Sequence, residues 1–585
     1  MRTLKWLLKE NWEILLLFLL PILLMLINQV WMFSNIYVDP WFYFGYFIRL
    51  KEYLIAFPGS YPGTRLSWIL PGYLLHSLFP PLIAHYILHL GFYYLAIFSL
   101  YLVLKPHIGK RGAFLASAAM GCYSFFLMAV GWDYVDGAGI AYFLVTVLML
   151  SWAAGKENQA IWMALSGVFF GALIYTNLAW VTFLIPLTNY YVLTNYPHRI
   201  KKTFIRIAAF IVGFLAITIL LGVVNYAIVG KFLFFMPSAN FVVYALGVRS
   251  PWKNDAHQWL GKPIWLVLPL IVLTGSLAML SLSKFSKSFE EAALPLQKTF
   301  VITCLIMIFV QVIGISVLQL PFYSSYLIPS MFLAIGELLK SLTTLSKYRF
   351  ASVATFSLIL IVSSLITVDY LIPFVADTQV IIFCLLFVAA FSFSIASSFN
   401  QKKLGGVLAV LLLTVSAIIN FNAVWNVNQG GNRLQANAST SKILIDDYLT
   451  VSHVQKLFRD IDPTVRLFIW YPSKEPRESR AYDAIASASL WRNRLIGAGF
   501  PSLQPYGVSS SEPLSPQRLN DLKTLFAASP KIAIFSQQED VLQQAINSLK
   551  TVGFTAKSIA TYPIKQDTIA FTITIIEVSK LKDPL

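Results

Sequence analysis

Apolar runs long enough to cross a bilayer recur through most of the chain, and this repetition constrains the fold more than any other feature. The runs are 14–33, 82–104, 113–130, 138–153, 160–175, 178–193, 207–229, 264–282, 299–320, 326–339, 352–367, 380–395 and 404–421. A helical span takes roughly 17–25 residues, so they make about thirteen spans, several of them short. Only 12% of the 585 residues are charged, and mean hydropathy is +0.68. Soluble domains carry about twice that charged share. The N-terminus carries Arg2, Lys5 and Lys9 before its apolar run, as a secretion signal does. That run is too long and lacks a small-x-small cleavage site, so it reads as a retained transmembrane helix.

Loop charge tests the count independently, because Lys and Arg favour cytoplasmic loops. With the N-terminus inside, alternate loops carry Lys105, Lys110 and Arg111; Lys156; Arg199, Lys201, Lys202 and Arg206; Lys284, Lys287 and Lys298; Lys340, Lys347 and Arg349; and Lys402 and Lys403. Every second loop is basic. The expected topology is N-terminus in and C-terminus out. The same alternation accounts for much of the net charge of +17, so nucleic acid is not an expected partner. Cys122, Cys304 and Cys384 all fall inside apolar runs and read as core fillers.

The segment 40–81 holds an apolar stretch, 66–79, that a short span would fit. Making it one would put the basic 105–111 loop outside. It reads instead as part of a large external loop, with two helices along the membrane surface and Arg49, Lys51, Glu52 and Arg65 kept wet. Phe57-Pro58-Gly59-Ser60-Tyr61-Pro62-Gly63 is the turn between them. The loops around 131–137 and 230–262 face the same way. After Asn426 hydropathy falls, and charges, Pro, Ser and Gln rise. Strands are expected at 465–470, 531–535 and 569–578, with helices at 452–460, 517–528 and 540–552. The expected fold is mainly α: a polytopic helical membrane domain, 1–425, with first external loop 34–81, and a small extracytoplasmic α/β domain, 426–585.

Three carboxylates gather on the outward side: Asp39, directly after the first span, and Asp133 and Asp136 in the next outward loop. An acidic residue at the membrane face costs free energy unless it has a partner or a role. Asp39-Pro40 also suits a helix start, and Asp136-Gly137 suits capping. Paired carboxylates there suit general-base work on a hydroxyl, or a divalent cation, which the pattern does not require. Arg49, Arg65, Arg249 and Lys253 stand near the same interface, where the charge rule would not place them, and suit a lipid-linked phosphate. Arg65 and Arg249 are preferred, since each follows turn residues among aromatic or apolar neighbours. His257 is a lesser candidate. Few ionisable groups stand mid-span, which speaks against ion-coupled transport.

Val38-Asp39-Pro40-Trp41, Tyr61-Pro62-Gly63-Thr64-Arg65, the stretch from Asp133 to Gly137, and Pro321-Phe322-Tyr323-Ser324-Ser325-Tyr326-Leu327-Ile328-Pro329 together resemble the motifs of GT-C fold glycosyltransferases. That superfamily includes protein O-mannosyltransferases, aminoarabinose transferases and oligosaccharyltransferase catalytic subunits. The resemblance covers about the first two-thirds of the chain, most in the manner of bacterial dolichyl-phosphate-mannose-protein mannosyltransferases. It implies inverting transfer of a sugar from a polyprenyl-phosphate carrier to a glycan, lipid or protein acceptor on the outer face of the plasma (inner) membrane. Asp39 would be base or acceptor-orienting group, with Tyr61 and Tyr326 in the acceptor and late-span elements. Three departures stand out. Pro40 replaces a second acidic residue, Ser325 replaces an Arg, and the tail lacks Trp-Trp-Asp, so asparagine-glycan transfer is not implied. The alternatives are a flippase for lipid-linked saccharides and an inactive GT-C scaffold. In a chain stripped of its native cysteines, an impermeant thiol reagent should label Cys at position 253 in intact cells and spare Cys at 110; the reverse pattern would invert the topology.

Overall fold

Backbone N–H and C=O groups in lipid must be satisfied within the chain, which drives apolar runs into helices. The computed structural model describes residues 12–27, 32–33, 38–57, 60–131, 134–155, 158–195, 200–248, 267–283, 294–312, 325–344, 438–460, 467–470, 478–489, 531–536, 539–551 and 553–580. Among these, four helices are long and apolar enough to cross a membrane: Pro81–Gly121, Asp136–Ala154, Thr203–Val229 and Pro295–Val312. Shorter apolar helices are Trp12–Leu26, Gln159–Ile174, Leu178–Thr194 and Ser325–Leu338. The expected spans 352–367, 380–395 and 404–421, the boundary at 425 and the expected helix 517–528 lie outside the described residues.

The expected pair 82–104 and 113–130 is found as two helices within 81–121, joined through a kink at Gly109 inside the basic loop. There φ is +77°, a region open to glycine and costly for other residues. A short helix, Ser124–Gly131, completes the run. Helix Gln159–Ile174 crosses helix Ile200–Val229 with the backbones in contact. A Cβ on Gly167 would lie 1.9 Å from the Phe210 carbonyl oxygen, and one on Gly213 would lie 1.8 Å from that of Ala164. Small residues permit such crossings where no hydrophobic force separates protein from lipid. The opposite face of 200–229 leaves Ile211, Val212, Leu215, Ile219 and Leu220 exposed, as a lipid-facing side requires.

The first loop folds as helices Val38–Ile48, Leu50–Ala56 and Leu66–Leu78, with a 3-10 turn, Tyr61–Thr64, between the last two. Its aromatic rings do not spread on a membrane surface as expected. Phe42, Tyr43, Phe44, Tyr46 and Phe47 are buried, partly against other residues of the same loop and partly by the C-terminal helix Glu478–Ala488, which packs on helix Val38–Ile48. The stretch that follows helix Ile200–Val229, expected as a loop, contains an unforeseen helix, Met236–Val248, which packs on the 3-10 turn.

The C-terminal part of the chain has a sheet of β1 (Leu467–Trp470), β2 (Lys531–Ser536), β3 (Phe554–Gln566) and β4 (Ile569–Lys580), in the order β1-β2-β4-β3. β1 and β2 pair in parallel; the other pairings are antiparallel. The period of two along β2 sends Ile532 and Ile534 to helix Glu539–Thr551, where Ala545 and Leu549 meet them. Phe535 faces the other way, against Tyr482 and Phe458. β3 was not foreseen: it is an edge strand whose Lys557, Pro563 and Lys565 interrupt any apolar alternation. Helix Ala438–Asp460 binds the β3–β4 turn, with Asp446 accepting from the Thr568 N–H at 2.7 Å and Lys442 2.9 Å from Asp567.

Gly213→Val would drive a side chain into the Ala164 carbonyl. It should cost about 1–3 kcal/mol, as overpacking does, read as a lower Tm of the purified protein; an unchanged Tm would show that the crossing is looser than described.

Candidate active site

Arg65 occupies the junction between the turn Tyr61–Thr64 and the helix Leu66–Leu78. Pro62 and Gly63 form the turn, and the Thr64 hydroxyl donates to the Tyr61 carbonyl at 2.7 Å. Expected to stay wet, Arg65 is instead only 6% exposed. A buried guanidinium is tolerated when its N–H groups and its charge are both met. Nη1 donates to the Tyr43 hydroxyl at 2.7 Å, and Tyr134 also hydrogen-bonds the group. The guanidinium carbon lies 4.9, 5.2 and 5.7 Å from the ring centres of Tyr61, Tyr134 and Tyr43. Three electron-rich faces thus replace much of the lost hydration.

Asp136 opens helix Asp136–Gly155 and is 2% exposed. It hydrogen-bonds with Ser325 and lies within electrostatic reach of Arg65. Its neighbour fixes its place: a Cβ on Gly137 would lie 2.8 Å from the Ala129 carbonyl oxygen, so the helix start rests directly on the preceding helix.

Tyr326 is buried beside Ser325, with its ring centre 4.1 Å from that of Trp180, and its hydroxyl takes a hydrogen bond from the Asn177 amide. The Asn177 carbonyl oxygen accepts from the Ala179 N–H at 3.1 Å, so one side chain caps a 3-10 helix and holds the late-span tyrosine. Tyr61 stacks on Phe241 at 4.7 Å, and Thr64 bonds Ser238, which seats helix Met236–Val248 over the turn.

Of the residues singled out in the sequence, the fold brings Arg65, Asp136, Tyr61 and, through Ser325, Tyr326 into one neighbourhood. Arg49 stands apart from it, donating to the Gln455 carbonyl at 2.9 Å and lying 3.5 Å from Glu52. Asp39 stands in the first turn of helix Val38–Ile48, where Pro40 costs no helical hydrogen bond. The side chain of Asp39 lies outside the described residues, as do Asp133, Arg249, Lys253 and His257. Sequence reasoning did not assign Tyr43, Tyr134 or Ser325 a place here. Tyr43 and Tyr134 lay within stretches already singled out, and Ser325 was visible only as a departure from a motif. Among the described residues no three His, Cys, Asp or Glu side chains gather as metal ligands would.

Fold and site define a mainly helical membrane protein with a caged arginine in its first loop and a buried carboxylate within electrostatic reach of it. No family model matches the chain, and no curated protein matches it. In architecture it is similar to the crystal structure of ArnT from Cupriavidus metallidurans bound to undecaprenyl phosphate. The TM-score is 0.48 at 12% identity, over 93% of this chain and 94% of that one. The apo form of that ArnT gives 0.46 at 11% identity, over 91% and 92%. The apo oligosaccharyltransferase of Archaeoglobus fulgidus gives 0.44 at 13% identity, over 90% of this chain and 70% of that one.

Arg65→Lys keeps the charge but loses the flat face that three rings contact. It should lower stability by about 1–2 kcal/mol, measured by thermal unfolding; wild-type stability would mean that the rings contribute little to holding the cation.

Proposed function

We propose that the chain is an inverting glycosyltransferase that moves a sugar from a polyprenyl-phosphate carrier to a hydroxyl of a glycan, lipid or protein acceptor. The observation that carries the reading is the buried Arg65 of the first loop, within electrostatic reach of the buried Asp136. A guanidinium has five N–H donors, and Tyr43 and Tyr134 take two of them. The remaining donors suit two oxygens of a phosphate, and burial makes the interaction stronger than it would be in water. The site then faces the outer side of a plasma (inner) membrane, with the domain 426–585 outside and 1–425 as the membrane domain.

The acceptor oxygen attacks the anomeric carbon from the face opposite the phosphate. The bond from that carbon to the phosphate oxygen breaks, and polyprenyl phosphate leaves with the electron pair, its growing charge met by Arg65. The acceptor's proton passes to Asp39, at the start of the helix that carries Tyr43. Asp136, held by Ser325, balances and orients Arg65. Arg249 and Lys253, which follow helix Met236–Val248 in sequence, are further phosphate partners in this reading, and His257 and Asp133 border the acceptor side. Arg49 is a weaker phosphate candidate, given its bond to Gln455. A divalent cation is not needed for these steps.

Asp39→Asn should lower transfer about 100- to 10,000-fold, the usual range for loss of a general base, with donor binding kept. Arg65→Ala should lower kcat/KM about 10- to 100-fold, the worth of a hydrogen bond to a charged group. Both are read as sugar transfer from a polyprenyl-phosphate donor by purified protein. Undiminished transfer in Asp39→Asn would remove it as the base, and undiminished transfer in both would sink the site. A flippase would move the donor across vesicles without forming a glycoside.

A further inference from the structure

The C-terminal domain is joined to the first loop by buried side chains that end on the helix carrying Tyr43. Tyr448, from helix Ala438–Asp460, is 1% exposed. Its ring sits among Phe44, His85, Phe33 and Trp41, with ring centres 4.8, 4.8, 5.9 and 6.3 Å away. Its hydroxyl lies 2.8 Å from His76 Nε2. The other ring nitrogen, Nδ1, is 2.8 Å from the Gly72 carbonyl, which can only accept. In the neutral ring the proton is therefore on Nδ1, and Nε2 accepts from Tyr448.

A second tie runs the other way. Tyr53 donates to the Ser487 carbonyl at 3.0 Å. To reach it, the phenol passes over Gly45 so closely that a Cβ there would lie 2.2 Å from its oxygen. Gly45 is thus the opening in helix Val38–Ile48 through which the loop grips the domain. Arg49, bonded to the Gln455 carbonyl, makes a third tie.

We infer that the C-terminal domain is a clamp for the reaction centre, with Tyr448 as a positioning residue that fixes helix Val38–Ile48 and, through Tyr43, the guanidinium of Arg65. The chain of contact is short. Phe44 touches Tyr448, and the adjacent Tyr43 bonds Arg65 at 2.7 Å. Nothing in glycosyl transfer itself calls for a domain on top of the loop. These contacts give it a mechanical role, which rests on Arg65 being the phosphate-binding group.

The test compares the full-length protein with its Tyr448→Ala, Tyr448→Phe and Gly45→Ala variants by hydrogen–deuterium exchange and by donor kinetics. In Tyr448→Ala, exchange within residues 38–48 should speed by about tenfold or more, and within helix Gln159–Ile174 stay unchanged, because loss of a buried ring opens only what it supports. Donor KM per folded molecule should rise about fivefold or more, with a smaller change in kcat, since the guanidinium is displaced and not removed. Tyr448→Phe keeps the ring and should return both readouts to within about threefold of wild type. Gly45→Ala, which deletes no side chain, should reproduce the exchange effect. Unchanged exchange in both Tyr448→Ala and Gly45→Ala overturns the clamp. Faster exchange with an unchanged donor KM overturns the positioning role and leaves Tyr448 a prop for its own domain. Faster exchange in a protein whose wild type transfers no sugar supports the mechanical coupling and overturns the functional reading beneath it.

Discussion

The burial of one guanidinium organises the packing around the first loop of this molecule. Arg65 can sit 6% exposed only because Tyr43, Tyr61 and Tyr134 meet it with hydroxyls and ring faces. Those tyrosines come from three separate stretches, so the cation fixes helix Val38–Ile48, the turn Tyr61–Thr64 and the approach to helix Asp136–Gly155 against one another. Without the rings the charge would be drawn out to water, and the first loop would lose its common point. In the proposed reaction a stiff, paired charge is also what an incoming phosphate needs, since little then has to reorganise on binding.

Packing extends that point in both directions. Below it, Gly137 lets the helix of Asp136 rest on the carbonyl of Ala129, and Ser325 reaches the carboxylate from the start of a late helix. On the other side, Tyr448 and Tyr53 join the first loop to the C-terminal helices Ala438–Asp460 and Glu478–Ala488. The glycines here act through the space they leave. Gly45 and Gly137 each admit a neighbour that a methyl group would exclude.

Much of this was legible in the sequence, for reasons that differ by region. The helices followed from apolar run length, and the bend at Gly109 fell in a loop already marked by Lys105, Lys110 and Arg111. Arg65 and Asp136 stood out because charge is costly beside lipid. Its cage did not, because Tyr43 and Tyr134 are ordinary members of an aromatic-rich chain, and only the fold shows which rings face a cation. The burial of the first loop was misjudged for a related reason: an apolar helix face does not say whether lipid or protein will cover it. Here part of the cover is Tyr448, four hundred residues further along the chain (roughly, and far beyond the reach of local pattern). β3 was missed because an edge strand is selected partly against the alternation by which strands are recognised.

The central claim is that Arg65 holds the phosphate of a polyprenyl-linked donor. The most direct measurement is a structure of the full-length protein with polyprenyl phosphate bound. The account predicts phosphate oxygens within hydrogen-bond distance of the Arg65 guanidinium, with Asp136 still beside it. A phosphate bound elsewhere, with Arg65 unchanged among its three tyrosines, would contradict the account and leave the arginine a structural cation.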